Sequence, residues 1–575
     1  MKRISILITS TLILFSCCSS PEEINKRIRT ICNPVDISYR FRPEEPSRRE
    51  AADPSIVYFK DAYYLFASMS GGYWHSNDLT EWTFIETNEI PTEEYAPTAI
   101  SLEDTIYFLA SSGIKSTIYK STEPKTGRWN IAKDSLFSPV WDPAFFQDDD
   151  GRLYLYWGCS NMNPIYGIEL DYNNNFTPID EPVSLIFANP DDYGWEVPGD
   201  YNTIYSNPPW IEGAWMNKFN GIYYLQYAGP GTEFKSYSDG VYISENPLGP
   251  YKLADHNPFA YKPEGFAAGA GHGSTFTDKY GNYWHIGTIT ISVKHIFERR
   301  LGLYPTFFDD EGVLFTSTKY GDYPVIIPDK KIESSKDIFP EWMLLSYNKE
   351  VTVSSFIDSL PPVNITDENI RTYWAANTGN DTEWAGIDLN GEYDVYAIQI
   401  NFAEHNTNIY GRQDGLCYQY TVEVSKDNRK WEMLIDKSDN QTDNSHDYTH
   451  LGQKASCRYI RIKNRKVPGG NFALSGFRVF GKGTGNKPET VNQLDITRNP
   501  DNRRSVLLKW DKSENATGYN ISYGIDKNKL YHNYFVYSDT SLTINSLNTK
   551  QEYYFTIESF NENGITASTI LKKAE

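Results

Sequence analysis

The chain has 575 residues, of which 39% are hydrophobic and 15% aromatic, with 43 Tyr, 29 Phe and 14 Trp. The 75 Asp and Glu outweigh 54 Lys and Arg for a formal net charge of −21; such a body repels phosphate backbones, no local basic patch offsets it, and nucleic acid is excluded as an expected partner. The aromatic content excludes a disordered chain, and at about 150 residues per domain the length suggests three or four domains.

At the start, Lys2 and Arg3 precede an apolar run from Ile4 to Phe15. That run is short of the roughly 20 residues a membrane-spanning helix needs and suits an export signal. It closes as Leu14-Phe15-Ser16-Cys17, which resembles the bacterial lipoprotein box. The resemblance implies a signal peptide over 1–17, lipidation of Cys17, a polar tether over 18–36 and attachment to the membrane by a lipid anchor. The expected location is the outer membrane, at the cell surface or the periplasmic face. Of the later cysteines, Cys32, Cys159, Cys417 and Cys457, none forms a CxxC pair, so zinc-site and thioredoxin-type readings fail. Cys417 and Cys457 are either paired or free buried thiols.

From residue 50 one pattern recurs five times: a short strand, a turn rich in Asp, Asn or Gly, and an aromatic strand. The copies are Asp53-Pro54-Ser55-Ile56-Val57, Ala96-Pro97-Thr98-Ala99-Ile100, Asp142-Pro143-Ala144-Phe145-Phe146, Glu212-Gly213-Ala214-Trp215-Met216 and His272-Gly273-Ser274-Thr275-Phe276. About 40–50 residues per four-stranded unit is the requirement of a propeller blade, so five blades are expected, with longer loops between the later copies. If the first residue of each copy opens the innermost strand, then Asp53, Ala96, Asp142, Glu212 and His272 face one axis. Burying lone carboxylates is costly, so three of them with a histidine imply a convergent polar site. Glycosidic hydrolysis needs a protonated acid and an ionised partner across the sugar, and a third carboxylate can raise the acid's pKa. Metal catalysis is the weaker reading, because no tight ligand spacing occurs locally. Tyr95, Trp141, Trp210 and Trp215 flank the axial positions and offer faces for stacking on a sugar ring.

The motifs Ala52-Asp53-Pro54-Ser55, Trp141-Asp142-Pro143, Trp210-Ile211-Glu212-Gly213 and Gly271-His272-Gly273-Ser274 resemble those of glycoside hydrolase family 43, five-bladed propellers with an inverting mechanism. The resemblance covers about 37–328. It implies Asp53 as general base, Asp142 as the residue that tunes and orients the acid, and Glu212 as general acid. It also implies His272 as an axial residue holding a structural calcium or a water, with no cofactor required for catalysis. Tyr95-Ala96-Pro97-Thr98 departs from the family's pattern. A substrate-contacting arginine is implied at Arg299 or Arg300, which the sequence does not separate.

Residues 340–482 show strands around Trp374-Ala375-Ala376-Asn377, Tyr420 to Ser425 and Arg458 to Ile462 that resemble a factor 5/8 type C (discoidin-like) sandwich. Sugar binding and buttressing of the propeller are both open for it. Residues 488–575, with Trp510, Leu547 and Tyr553, resemble a fibronectin type III sandwich. The expected whole is all-β: a five-bladed propeller followed by two sandwiches. The implied function is an exo-acting α-L-arabinofuranosidase or β-xylosidase acting on plant cell-wall polysaccharide. The alternatives are an endo-arabinanase or galactanase of the same fold, and a non-catalytic glycan-binding surface lipoprotein. The stretch Asp191 to Trp195 is expected to wall off one end of a groove.

Overall fold

The computed structural model describes residues 28–574. The export signal, Cys17 and most of the tether lie outside the described residues. The protein is all-β, with 44% strand and 3% helix.

Five antiparallel sheets follow one another from residue 55 to residue 316. Their first strands are Ser55–Phe59, Thr98–Leu102, Ala144–Gln147, Glu212–Phe219 and Gly271–Thr277. Four sheets have four strands and the third has a fifth, Val183–Ile186. Each first strand lies beside the first strand of the next sheet, and that of the fifth lies beside that of the first. The second strands are covered on both faces by neighbouring sheets, so they read as continuous apolar runs. In Ala62–Phe66 every residue is buried. One core joins the first sheet to the fifth, with Tyr63, Leu65 and Trp74 against Trp284, Ile286 and Leu303.

The tether expected over 18–36 ends earlier than its boundary. Arg29–Ile31 pairs antiparallel with Val325–Ile327, and buried Asn33 donates to the carbonyls of Leu303 (3.0 Å) and Gly321 (2.7 Å). These residues belong to the body because their backbone groups are spoken for there.

In the middle region two long strands, Trp384–Phe402 and His446–Lys466, pair along most of their length. Register breaks at Asp388/Tyr393 and Val395/Ala397 bend them, and they wrap a core containing Trp374, Phe402 and Phe477. Ser425 and Asp427 form a hairpin turn in which Asp427 Oδ1 accepts the N–H groups of Arg429 (2.9 Å) and Lys430 (2.8 Å). Cys417 and Cys457 are free buried thiols, which settles the alternative left open by the sequence.

The last region has a three-stranded sheet, Leu494–Arg498, Val506–Trp510 and Ser541–Ile544, and a second sheet built on Gly518–Gly524 and Tyr554–Asn561. Trp510, Tyr519 and Tyr553 share their core, and the Tyr553 hydroxyl accepts the Asn548 N–H at 3.0 Å. This module docks on the stretch expected to wall a groove: Gly194 N donates to Leu547 O (3.1 Å) and Thr549 N to Asp192 O (2.9 Å). Trp195 is fully buried, so Asp191–Trp195 serves packing rather than a groove wall.

Candidate functional site

Each first strand is entered by a residue in the left-handed backbone region: Asp53 (φ 51°), Ala96 (45°), Asp142 (51°), Gly213 (61°) and His272 (44°). For a non-glycine residue this costs of order 1–3 kcal/mol and persists only where the surroundings impose it. Those surroundings recur as well. The N–H of Asp53 donates to Thr288 Oγ1 (3.0 Å), that of Ala96 to Ser68 Oγ (2.7 Å), that of Asp142 to Ser111 Oγ (2.8 Å) and that of His272 to Asp239 Oδ1 (2.7 Å). In each pair a side chain of the preceding sheet holds the entry residue of the next.

The sequence places Glu212 in register with Asp53, and the structure moves it by one. Ser55, Thr98, Ala144, Trp215 and Ser274 are the equivalent pairing residues, opposite Phe66, Leu109, Tyr156, Gln226 and Ile286. Gly213 therefore occupies the axial position. A bulge between Glu212 and Trp215 absorbs the extra residue. Glycine is needed there, because a Cβ would lie 2.6 Å from the His272 ring. Glu212 reaches the cluster from the position that Tyr95 and Trp141 occupy in their own sheets.

Asp53, Asp142, Glu212 and His272 do converge. His272 Nδ1 lies 3.4 Å from Asp53 Oδ1 and 3.7 Å from Asp142 Oδ2. Oxygens of Asp142 and Glu212, with the Cys159 sulfur, lie within 4.8 Å of one another. Asp53 accepts from Arg299 Nη1 (3.0 Å) and Ser68 Oγ (2.6 Å). Burial pushes its carboxyl up, but the Arg299 and His272 charges and these hydrogen bonds outweigh burial and hold it below the ordinary range. Burial pushes the Asp142 carboxyl up to about 7; His272 opposes this, and the charges of Glu212 and Asp53 add to it. Burial works against a charged His272, yet Asp53, Asp142, Glu212 and Asp239 together raise its pKa. His272 Nδ1 thus lies between Asp53, whose carboxyl is held below the ordinary range, and Asp142, whose carboxyl is raised to about 7.

Arg299 and Arg300 are separated by geometry. Arg299 bridges Asp53 and Glu50, donating from Nη2 to Glu50 Oε1 at 2.8 Å. Arg300 faces away from the cluster: its Nε donates to His446 Nε2 of the middle region at 2.9 Å and its Nη1 to the Arg49 carbonyl at 2.8 Å. Arg300 is corrected from substrate contact to domain packing, since successive strand residues point to opposite faces. Trp215 is likewise a packing residue, its Nε1 donating to Thr275 O of the neighbouring sheet at 2.9 Å. Trp141 and Trp210 keep 48% and 44% of their surface exposed, and the Tyr95 ring lies 5.9 Å from the Arg299 guanidinium. Two partners of Glu212 escape the sequence reading: the Tyr237 hydroxyl donates to its Oε1, and the Cys159 thiol to its Oε2 at 3.2 Å. A signal existed in the residues that follow each second strand, Ala67-Ser68, Ala110-Ser111 and Gly158-Cys159.

Residues 47–313 match the family described as Glycosyl hydrolases family 43, and residues 350–476 match the F5/8 type C domain. The chain is 25% identical over 268 residues to a beta-D-galactofuranosidase of Aspergillus niger, covering 40% of this chain and 72% of that protein. It is 31% identical over 155 residues to an arabinoxylan arabinofuranohydrolase of Paenibacillus polymyxa, covering 26% of this chain and 22% of the relative. It is 29% identical over 136 residues to a beta-xylosidase of Xylanibacter ruminicola, covering 19% and 38%.

Proposed function

We propose that this chain, which carries a family 43 glycosyl hydrolase domain over 47–313 and an F5/8 type C domain over 350–476, is an exo-acting glycosidase that removes arabinofuranosyl or xylosyl units from plant polysaccharide. The observation that carries this reading is the division of charge in the cluster, with Asp53 held ionised by Arg299 and Asp142 pushed up to about 7 beside Glu212. A glycosidase needs that asymmetry between its two carboxyl groups. In this reading the five sheets are the blades of a propeller whose axis carries the site, and the last region is a fibronectin type III sandwich. Asp53 takes the proton of the attacking water. Glu212 donates its proton to the departing glycosidic oxygen, and Asp142 keeps that proton available by repelling a second negative charge. The product emerges with inverted configuration, since water attacks the face opposite the leaving group. Trp141 and Trp210 offer their exposed faces to the sugar or its aglycone. A lipid anchor at Cys17 would hold the enzyme at the outer membrane, next to its polysaccharide.

Purified protein is expected to release free arabinose or xylose from aryl α-L-arabinofuranosides or β-xylosides and from arabinan or xylan. Release of oligosaccharides instead would favour the endo-acting alternative, and binding without turnover the non-catalytic one.

The family resemblance also implies a calcium near His272. His272 Nδ1 faces both aspartates, and the surrounding carboxylates raise the pKa of the ring, which favours a positive charge at that place. Dialysis against EDTA is therefore expected to leave activity within about twofold and the melting temperature unchanged within about 2 °C. Loss of activity restored by calcium alone would reinstate the ion.

A further inference from the structure

The repeat treats its axial carboxylates in a regular way that breaks at one place. Ser68 follows the second strand of the first sheet, takes the Ala52 carbonyl through its N–H (2.8 Å) and donates its hydroxyl to Asp53. Ser111 takes the Tyr95 carbonyl in the second sheet in the same way (3.0 Å), but its hydroxyl crosses to the next sheet, donating to Asp142 Oδ1 (3.1 Å). In the third sheet Gly158 takes the equivalent Trp141 carbonyl (2.9 Å), and the side chain facing the next carboxylate comes from the following residue, Cys159. This displacement matches the one-residue displacement of Glu212. Cys159 is fixed on both sides: Gly158 is tied to Trp141, the neighbour of Asp142, and Ser160 exchanges two hydrogen bonds (3.1 and 3.0 Å) with Ile211, the neighbour of Glu212. Where the fold twice sets a hydroxyl against a carboxylate, it sets a thiol against Glu212.

The geometry points to Cys159 as a positioning residue for the general acid: we propose that its thiol holds Glu212 Oε2 in place while donating too weakly to stabilise the carboxylate. The inference rests on Glu212 being that acid. A hydrogen bond to the charged form of a carboxyl lowers its pKa, and a general acid must carry its proton when the substrate binds. Tyr237 already donates to Oε1. A second hydroxyl on Oε2 would favour the ionised form further, whereas a thiol is a weak donor. The other charged or titratable groups facing Glu212 are Asp142, Asp239, Glu233 and His272. They are present in every variant below; Asp142, which also faces the Cys159 sulfur, is the one whose surroundings change together with those of Glu212.

The test compares Cys159→Ser and Cys159→Ala in the full chain, reading kcat/KM against pH on a glycoside with a poor, alcohol-like leaving group and on one with an activated nitrophenolate. With Cys159→Ser, which places at the acid the hydroxyl used at Asp53 and Asp142, the alkaline limb is expected to move down by about 0.5–1 pH unit on the poor leaving group, the size expected for one added donor. The activated substrate, which needs little proton assistance, should lose less than about threefold. With Cys159→Ala the limb should stay or move up, while the poor substrate slows through lost orientation. A limb unmoved in both variants, or moved up by serine, overturns the proposal. Glu212→Gln on the same two substrates separates the premise. Equal losses on both would remove Glu212 from the acid role; a selective loss on the poor leaving group, with an unmoved Cys159→Ser profile, would reject Cys159 only.

Discussion

Asp53→Asn is expected to lower kcat/KM on an aryl arabinofuranoside or xyloside by about 10²–10⁴-fold, the range a positioned general base contributes, with some fall in melting temperature, since the buried Arg299 loses one of its two carboxylate partners. The amide keeps the shape of the carboxyl, and its single oxygen can still accept from Arg299, while its NH2 group faces Ser68. What it loses is the capacity to take a proton. Asp53 is buried, yet Arg299, His272 and Ser68 hold its carboxyl below the ordinary range, which favours the ionised form a base needs. The loss should therefore be of similar size at every pH, with no recovery at either end. Full activity in Asp53→Asn would exclude this residue as the base and, with it, the assignment of opposite roles to the two sides of the cluster.

The second large effect falls on stability. Arg299 lies between Asp53 and Glu50, all three almost fully buried, with contacts of 3.0 and 2.8 Å. Removing one partner of a buried pair costs about 3–5 kcal/mol, because the remaining charge keeps its desolvation penalty without compensation. Arg299→Leu takes this partner from Asp53, while Glu50 keeps Arg42 at 3.4 Å, so a fall of about this size in unfolding free energy is expected. The pH dependence should also reverse. In the wild type the folded pKa of Asp53 lies below its ordinary value of 3.8. It therefore contributes stability that is present above about pH 4 and is lost as pH falls through the lowered folded value. Without Arg299, burial dominates and the folded pKa rises above the ordinary value; the carboxyl then costs stability increasingly as pH rises from about 4. Denaturant titrations at pH 5 and pH 8 should show the variant penalty growing with pH. The acid limb of any residual activity should move to higher pH as well. A penalty independent of pH would mean that Arg299 acts through packing alone.

The chain order of the sheets and the identity of the clustered residues were legible in the sequence because both rest on a repeat. Asp53, Asp142 and His272 stand at equivalent places in copies whose turns and aromatic strands can be aligned by eye. Glu212 could be found but not placed. A bulge adds a residue without changing the hydrophobic pattern, and only the pairing of Trp215 with Gln226 shows that Gly213 takes the axial position. Arg299 and Arg300 were indistinguishable for a different reason: adjacent strand residues with the same charge part company only once the two faces of the strand are known. One face looks into the cluster and the other toward His446. Cys159 went unnoticed because it was judged against metal-binding spacings. Its meaning depends on Ser68 and Ser111, residues of the same repeat doing the same task with oxygen.

The contacts of Arg49 and Arg300 bear on how the middle region can serve the hydrolase. Arg49, fully buried, holds Glu404 (2.7 Å) and Asp443 (2.8 and 2.7 Å), and Arg300 holds His446. Charged groups locked in this way do not let go as the ends of a flexible tether would, so this sandwich cannot sweep the solvent for polymer and reel it in. A glycan strand gripped on it would meet the catalytic mouth from one bearing and at one separation, or miss it altogether. If the sandwich binds sugar, such an arrangement would select among branching patterns by alignment, where a loosely strung module would only raise local concentration.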